Sequence, residues 1–148
     1  MQKYISKLPE HIIDYIIPYT YTLQNKLLLN DIQNYTKTKD RILHLYYDLW
    51  INYMDEIEPE DKYWIINDII AYVNEDRATM CGYVNNFYAV FLRNLTLKTN
   101  GDVLTYIEKL EQLSINTQIN ILWGLLLPNE REDIINDFIV RNDNFIEE

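Results

Sequence analysis

PEDKYWIINDIIAYV, residues 59–73, is the stretch on which the fold class turns. Its isoleucines favour strands by intrinsic propensity. Its spacing favours a helix: Tyr63, Ile66, Ile69, Ile70 and Val73 recur at three- and four-residue steps. Pro59 stands where a helix starts, a position at which its missing N–H would have no partner anyway. Glu60 and Asp61 then face the positive end of the helix dipole.

The same punctuation occurs twice more. Pro9 is followed by Glu10, and Pro128 by Glu130. The fourth proline, Pro18, stops the helix that Pro9 opens. Apolar stripes continue along the chain as Ile42, Leu45, Tyr46, Leu49, Trp50 and Tyr53, then Val84, Phe87, Tyr88, Phe91 and Leu95. Asp102 is placed to cap a helix holding Val103, Ile107 and Leu110, and Ser114 one holding Ile119, Leu122 and Trp123. The last helix carries Ile134, Ile135, Phe138 and Ile139. The expectation is an all-α chain, residues 1–148 forming a single compact bundle of about eight helices with short loops. The acidic stretch 55–61 is the best place for a sub-division, and a tight two-helix corner is the preferred reading of it. No repeat of solenoid period is present.

Composition narrows the function. A chain that is 48% hydrophobic with three glycines is expected to pack a core rather than stay disordered. The net charge is −10, divided as +2 over residues 1–41 and −12 over residues 42–148. Nucleic acid is not expected as the main ligand, because counterion displacement needs clustered cations. The one basic cluster, Lys37, Lys39 and Arg41 with Lys26 nearby, reads as a solvated loop. Cys81 cannot form an internal disulfide and reads as a buried structural thiol, which favours the cytoplasm or nucleus. No run approaches a transmembrane span, so membrane insertion is not expected. Asn34-Tyr35-Thr36 and Asn94-Leu95-Thr96 match the glycosylation triplet by chance.

Catalytic and metal patterns are absent from the sequence reading. His11 and His44 lack carboxylates at helical ligand spacing. Asp55, Glu56, Glu58, Glu60 and Asp61 lack the glycine and ligand order of a calcium loop. Ser6 and Ser114 sit in no nucleophile elbow, and Glu130 and Asp133 read as solvated first-turn acids. No catalytic, cofactor-binding or metal-ligating residue is assigned. Trp50, Trp64 and Trp123 lie on apolar stripes and read as core. The chain has 13 tyrosines, more than one core of this size needs, and the surplus reads as a protein-binding surface.

LPEHIIDYIIPYTYTLQNKLLLNDIQNY, residues 8–35, resembles the start of an F-box: a Leu-Pro opening, a short helix, a turn and a second short helix. It resembles more closely the F-box-like proteins of large nucleocytoplasmic DNA viruses, which share its Pro18-Tyr19-Thr20-Tyr21 and later Leu-Leu and Asp-Ile elements. The heavy use of Ile, Asn and Tyr fits the AT-rich coding of such a source. The resemblance implies docking on the Skp-type adaptor of a ubiquitin ligase. Leu8, Pro9, Ile12, Ile16, Tyr19, Leu28 and Ile32 would supply the contacts, and the following domain would capture a second protein. Ile12, Ile16, Leu28 and Ile32 suit packing into the chain's own core as well. A role as a virion component, bound to other virion proteins, is the alternative. The expected location is the host cytoplasm or nucleus, or the virion itself.

Overall fold

The computed structural model describes residues 11–12 and 25–146. Among the described residues the chain is helical and has no strand. The α-helices are α1 (Lys26–Tyr46), α2 (Glu60–Val73), α3 (Asn85–Phe91), α4 (Asn100–Leu110), α5 (Ile115–Leu125) and α6 (Pro128–Ile146). A π-helical segment, Tyr47–Tyr53, continues α1, and a 3-10 turn, Thr79–Cys81, precedes α3. The helix expected after Pro9 lies outside the described residues, apart from His11 and Ile12, which are helical. The chain divides into two compact units, Met1–Asn30 and Asp31–Glu148, and residues 55–61 lie inside the second.

Two helices expected from the sequence, at 27–32 and from Asp40 onward, are one continuous helix, α1. The polar stretch between them contains no glycine or proline to break it. Its inward positions are also used. Thr38 is buried, donates to the Asn34 carbonyl at 2.7 Å and accepts from Trp123 Nε1 at 3.1 Å. Lys37, Lys39 and Arg41 therefore stand on a helix, not in a loop. Lys39 Nζ donates to Asn120 Oδ1 at 3.2 Å and lies over the Tyr35 ring.

Buried stripes define the core of the second unit. They are Ile42, Tyr46 and Leu49; Ile65, Ile69 and Val73; Phe87, Val90 and Phe91; Val103, Ile107 and Leu110; Ile119, Leu122 and Trp123; and Ile134, Ile135 and Phe138. Aromatic stacking joins them: Tyr46 on Phe138 at 4.2 Å, and Tyr83, Phe87 and Phe91 in succession. Trp123 is the largest fully buried side chain.

Arg131 occupies the inward stripe of α6, one turn before Ile135, and is 1% exposed. Its Nε donates to the Trp123 carbonyl at 3.0 Å. Its NH1 donates to Asp31 Oδ1 at 2.7 Å and Asn34 Oδ1 at 3.2 Å. The guanidinium also lies over the Tyr35 ring. One side chain thus joins α1, α5 and α6, and its charge is paired rather than stranded.

Helix ends are fixed by the local sequence, with changes from expectation: Pro59 precedes the first residue of α2 as its N-cap, and the Ser114 hydroxyl meets Thr117 Oγ1 and makes no cap bond to the backbone of α5. Asp102 is not the cap of α4. Thr99 is, and Asp102 sits three positions in, closing a capping box: Asp102 N donates to Thr99 Oγ1 at 3.1 Å, and Thr99 N to Asp102 Oδ2 at 2.8 Å. Glu130 is not a solvated acid. It accepts from Leu127 N at 2.7 Å and takes a forked pair from Arg93, whose NH2 lies 2.8 Å from Oε1. Pro128 does occupy the first position of α6. The α2–α3 loop is organised by buried Asn74, whose Oδ1 accepts from Val84 N and whose Nδ2 donates to the Gly82 carbonyl. That loop carries Cys81 on its 3-10 turn, exposed rather than buried.

Arg131→Ala removes the three-helix link and leaves a void, and is expected to destabilise the fold by about 3 kcal/mol or more. The check is a fall in the urea midpoint with an unchanged slope. Burial pushes the Glu130 carboxyl up, but Arg93 and the Leu127 N–H outweigh it, and the net effect holds it below the usual carboxylate range. Its stabilising contribution is therefore present above the unfolded value of about 4.3 and is lost as pH falls through the lower folded value. Denaturation midpoints measured down to about pH 3 are expected to fall less steeply for Glu130→Gln than for the parent chain.

Candidate partner-binding surface

The end of α1 and the start of α2 build an aromatic corner. At Tyr47 the helix widens into π winding, and Met54 N donates to the Leu49 carbonyl at 2.9 Å, five residues back. In an unbroken α-helix, Tyr53 would follow Leu49 onto the inward stripe, as the sequence predicts. The wider turn re-phases it, so Leu49 is buried and Tyr53 is 52% exposed. Glu56 N closes the corner onto the Trp50 carbonyl at 3.0 Å.

α2 also sits differently from the predicted phase. Its buried positions are Asp61, Ile65, Ile69 and Val73, at one-turn intervals. Tyr63 and Trp64 therefore point outward, 51% and 40% exposed. Trp64 is a correction to the expectation of core packing, as Trp123 is not. Trp64 stacks flat on Trp50, with centroids 4.7 Å apart and planes within 3°. Around this pair, Tyr47, Met54 and Ile57 are also exposed, Ile57 at 82%. A lone exposed apolar residue is ordinary, but this many large ones on two consecutive elements and the loop between them make a patch. Two polar atoms in the same region, Trp50 Nε1 and Asp61 Oδ1, are buried without a hydrogen-bond partner.

Of the residues expected to contact an adaptor, Leu8, Pro9, Ile16 and Tyr19 lie outside the described residues. Ile12, Leu28 and Ile32 are described and exposed. Leu28 and Ile32 stand one turn apart on α1.

Elsewhere, several ionisable groups are paired with one another. The Tyr46 hydroxyl donates to Asp68, and burial, then that bond, push the phenol above its ordinary range. Arg141 pairs with Asp68 and Asp137. A pocket of about 480 Å³ lies between α2, α3, α4 and α5, lined by Ile70, Phe87, Ile107 and Leu122 among others. Among the described residues no three His, Cys, Asp or Glu side chains gather so as to hold a metal ion, and no helix is long and apolar enough to cross a membrane.

No family description, curated protein or solved structure matches the chain.

The stacked indoles make a direct prediction. Trp64→Ala uncovers Trp50, and is expected to shift tryptophan emission to the red and to cost about 1–2 kcal/mol. Trp123, 0% exposed, keeps its blue component.

Proposed function

We propose that the chain is a non-enzymatic protein-interaction module. The observation that carries this reading is the aromatic corner: Tyr47 on the π-helical segment, Met54 and Ile57 in the loop after it, and Tyr63 and Trp64 on α2 are exposed, and the Trp50–Trp64 stack joins the two elements. Tyrosine, tryptophan and methionine are the residues in which protein interfaces are enriched. A flat, packed indole pair also costs little further ordering when a partner lands on it.

The finer reading is an F-box-like adaptor of viral origin. Its support is the residue 8–35 pattern together with the exposure of Leu28 and Ile32 at helix-in-groove spacing. In that arrangement the N-terminal segment docks on a Skp-type adaptor, and the corner receives the protein to be modified.

Two measurements separate these levels. Purified Skp-type adaptor is expected to be retained by the immobilised full chain, and to be lost about tenfold with Leu28→Asp or Ile32→Asp. No retention by the parent chain removes the adaptor reading. Separately, proteins recovered with the tagged chain from eukaryotic cells are quantified for the parent and for Tyr63→Ser/Trp64→Ser. Equal recovery of every partner removes the corner as a binding surface.

A further inference from the structure

The pocket between α2, α3, α4 and α5 joins an apolar lining to a charged rim. Phe87, Ile107 and Leu122 are buried core residues that line it, with half-buried Ile70 beside them. Its charged lining residues are Asp76, Arg77 and Glu111. All three are exposed, so a solute meets them directly from water. Its volume of about 480 Å³ lies in the range of small-molecule sites, about 300–1,000 Å³. Apolar walls with a few polar groups are the usual make-up of such a site.

The rim decides the sign of the ligand. Among the described residues none of its three charges is in an ion pair. Arg77 NH2 donates to the Cys81 carbonyl on its own loop, so the cation is already engaged. Gln118, which also lines the pocket, commits its Nε2 to the Leu113 carbonyl at 2.9 Å and keeps an oxygen acceptor. Tyr83 stacks on Phe87 with centroids 4.0 Å apart. Burial, then the Glu111 charge, push its phenol above the ordinary range, so the carboxylate and the ring border the same space. The rim thus offers a solute two carboxylates and an amide oxygen against one guanidinium held by its own loop.

We infer that this pocket binds a small organic cation, an amine whose bulky apolar body lies against Ile70, Phe87, Ile107 and Leu122 and whose ammonium meets Glu111 and Asp76. A wholly apolar solute would crowd two carboxylates away from water without compensation. An anion of the same shape would meet two like charges. The chain's net charge of −10 raises the local concentration of cations as well. None of the exposed residues of the aromatic corner lines the pocket, so this site is independent of the protein-interaction reading.

Three isosteres test it on the isotope-labelled full chain, followed by backbone amide signals: tryptamine, its alcohol tryptophol and its acid counterpart indole-3-propionate. Saturable shifts centred on Ile70, Phe87, Glu111 and Leu122 are expected with tryptamine. Tryptophol is expected to bind about tenfold more weakly, and indole-3-propionate more weakly still. Glu111→Gln/Asp76→Asn replaces exposed groups, and asparagine accepts the left-handed backbone of position 76, where φ is 57°, so the fold is kept. The double variant is expected to lose about tenfold in tryptamine affinity and to bind tryptophol as the parent does. Absence of saturable shifts with tryptamine, shifts centred elsewhere, equal affinity for the three isosteres, or an unchanged tryptamine affinity in the double variant overturns the proposal.

Discussion

The second unit depends on a guanidinium in its interior. Arg131 lies on a helical stripe otherwise made of isoleucine and phenylalanine, and it is tolerated because each of its directions has an answer. Asp31 supplies the counter-charge, the Trp123 carbonyl and Asn34 take further N–H groups, and Tyr35 covers the face. The same bonds set geometry. Trp123 is held from both ends, its carbonyl by Arg131 and its indole N–H by Thr38, and Thr38 in turn is tied to the Asn34 carbonyl. α1, α5 and α6 are therefore registered by directional contacts, where apolar packing alone would permit sliding.

Asp61 is the counterpoint. Both charges occupy positions where helical period calls for an apolar side chain, and both are about 1% exposed. One has partners contributed from two other helices, and the other lines a groove. The aromatic corner adjoins that groove through Tyr47.

Much of the helical architecture was legible in the sequence. α5 and α6 were readable because Ile119, Leu122 and Trp123, and Ile134, Ile135 and Phe138, repeat at helical spacing, and because Pro128 marks a start. The sequence alone divides α1 in two because its middle is polar, and polarity says nothing about whether Thr38 will find Trp123, 85 positions away in the chain. Glu130 reads as a solvated first-turn acid because its partner Arg93 is 37 positions away, and nothing local in the sequence marks Arg131 as buried, because its partner Asp31 is 100 positions away. Of the corner, the surplus of tyrosine was visible, but its position was not. α2 has apolar residues on either side of its true inward line, and only the acid at 61, in step with 65, 69 and 73, distinguishes that line. Tyr53 was misassigned because a π turn leaves no compositional mark.

That π turn has a consequence for how the chain tolerates change in length. It holds slack in its winding between two tightly packed stretches, with Tyr46 sealed inside on one side and the α2 stripe on the other. Loss of a single codon there could be absorbed by tightening to ordinary α pitch, sparing both flanking cores while swinging the exposed rings to a new bearing.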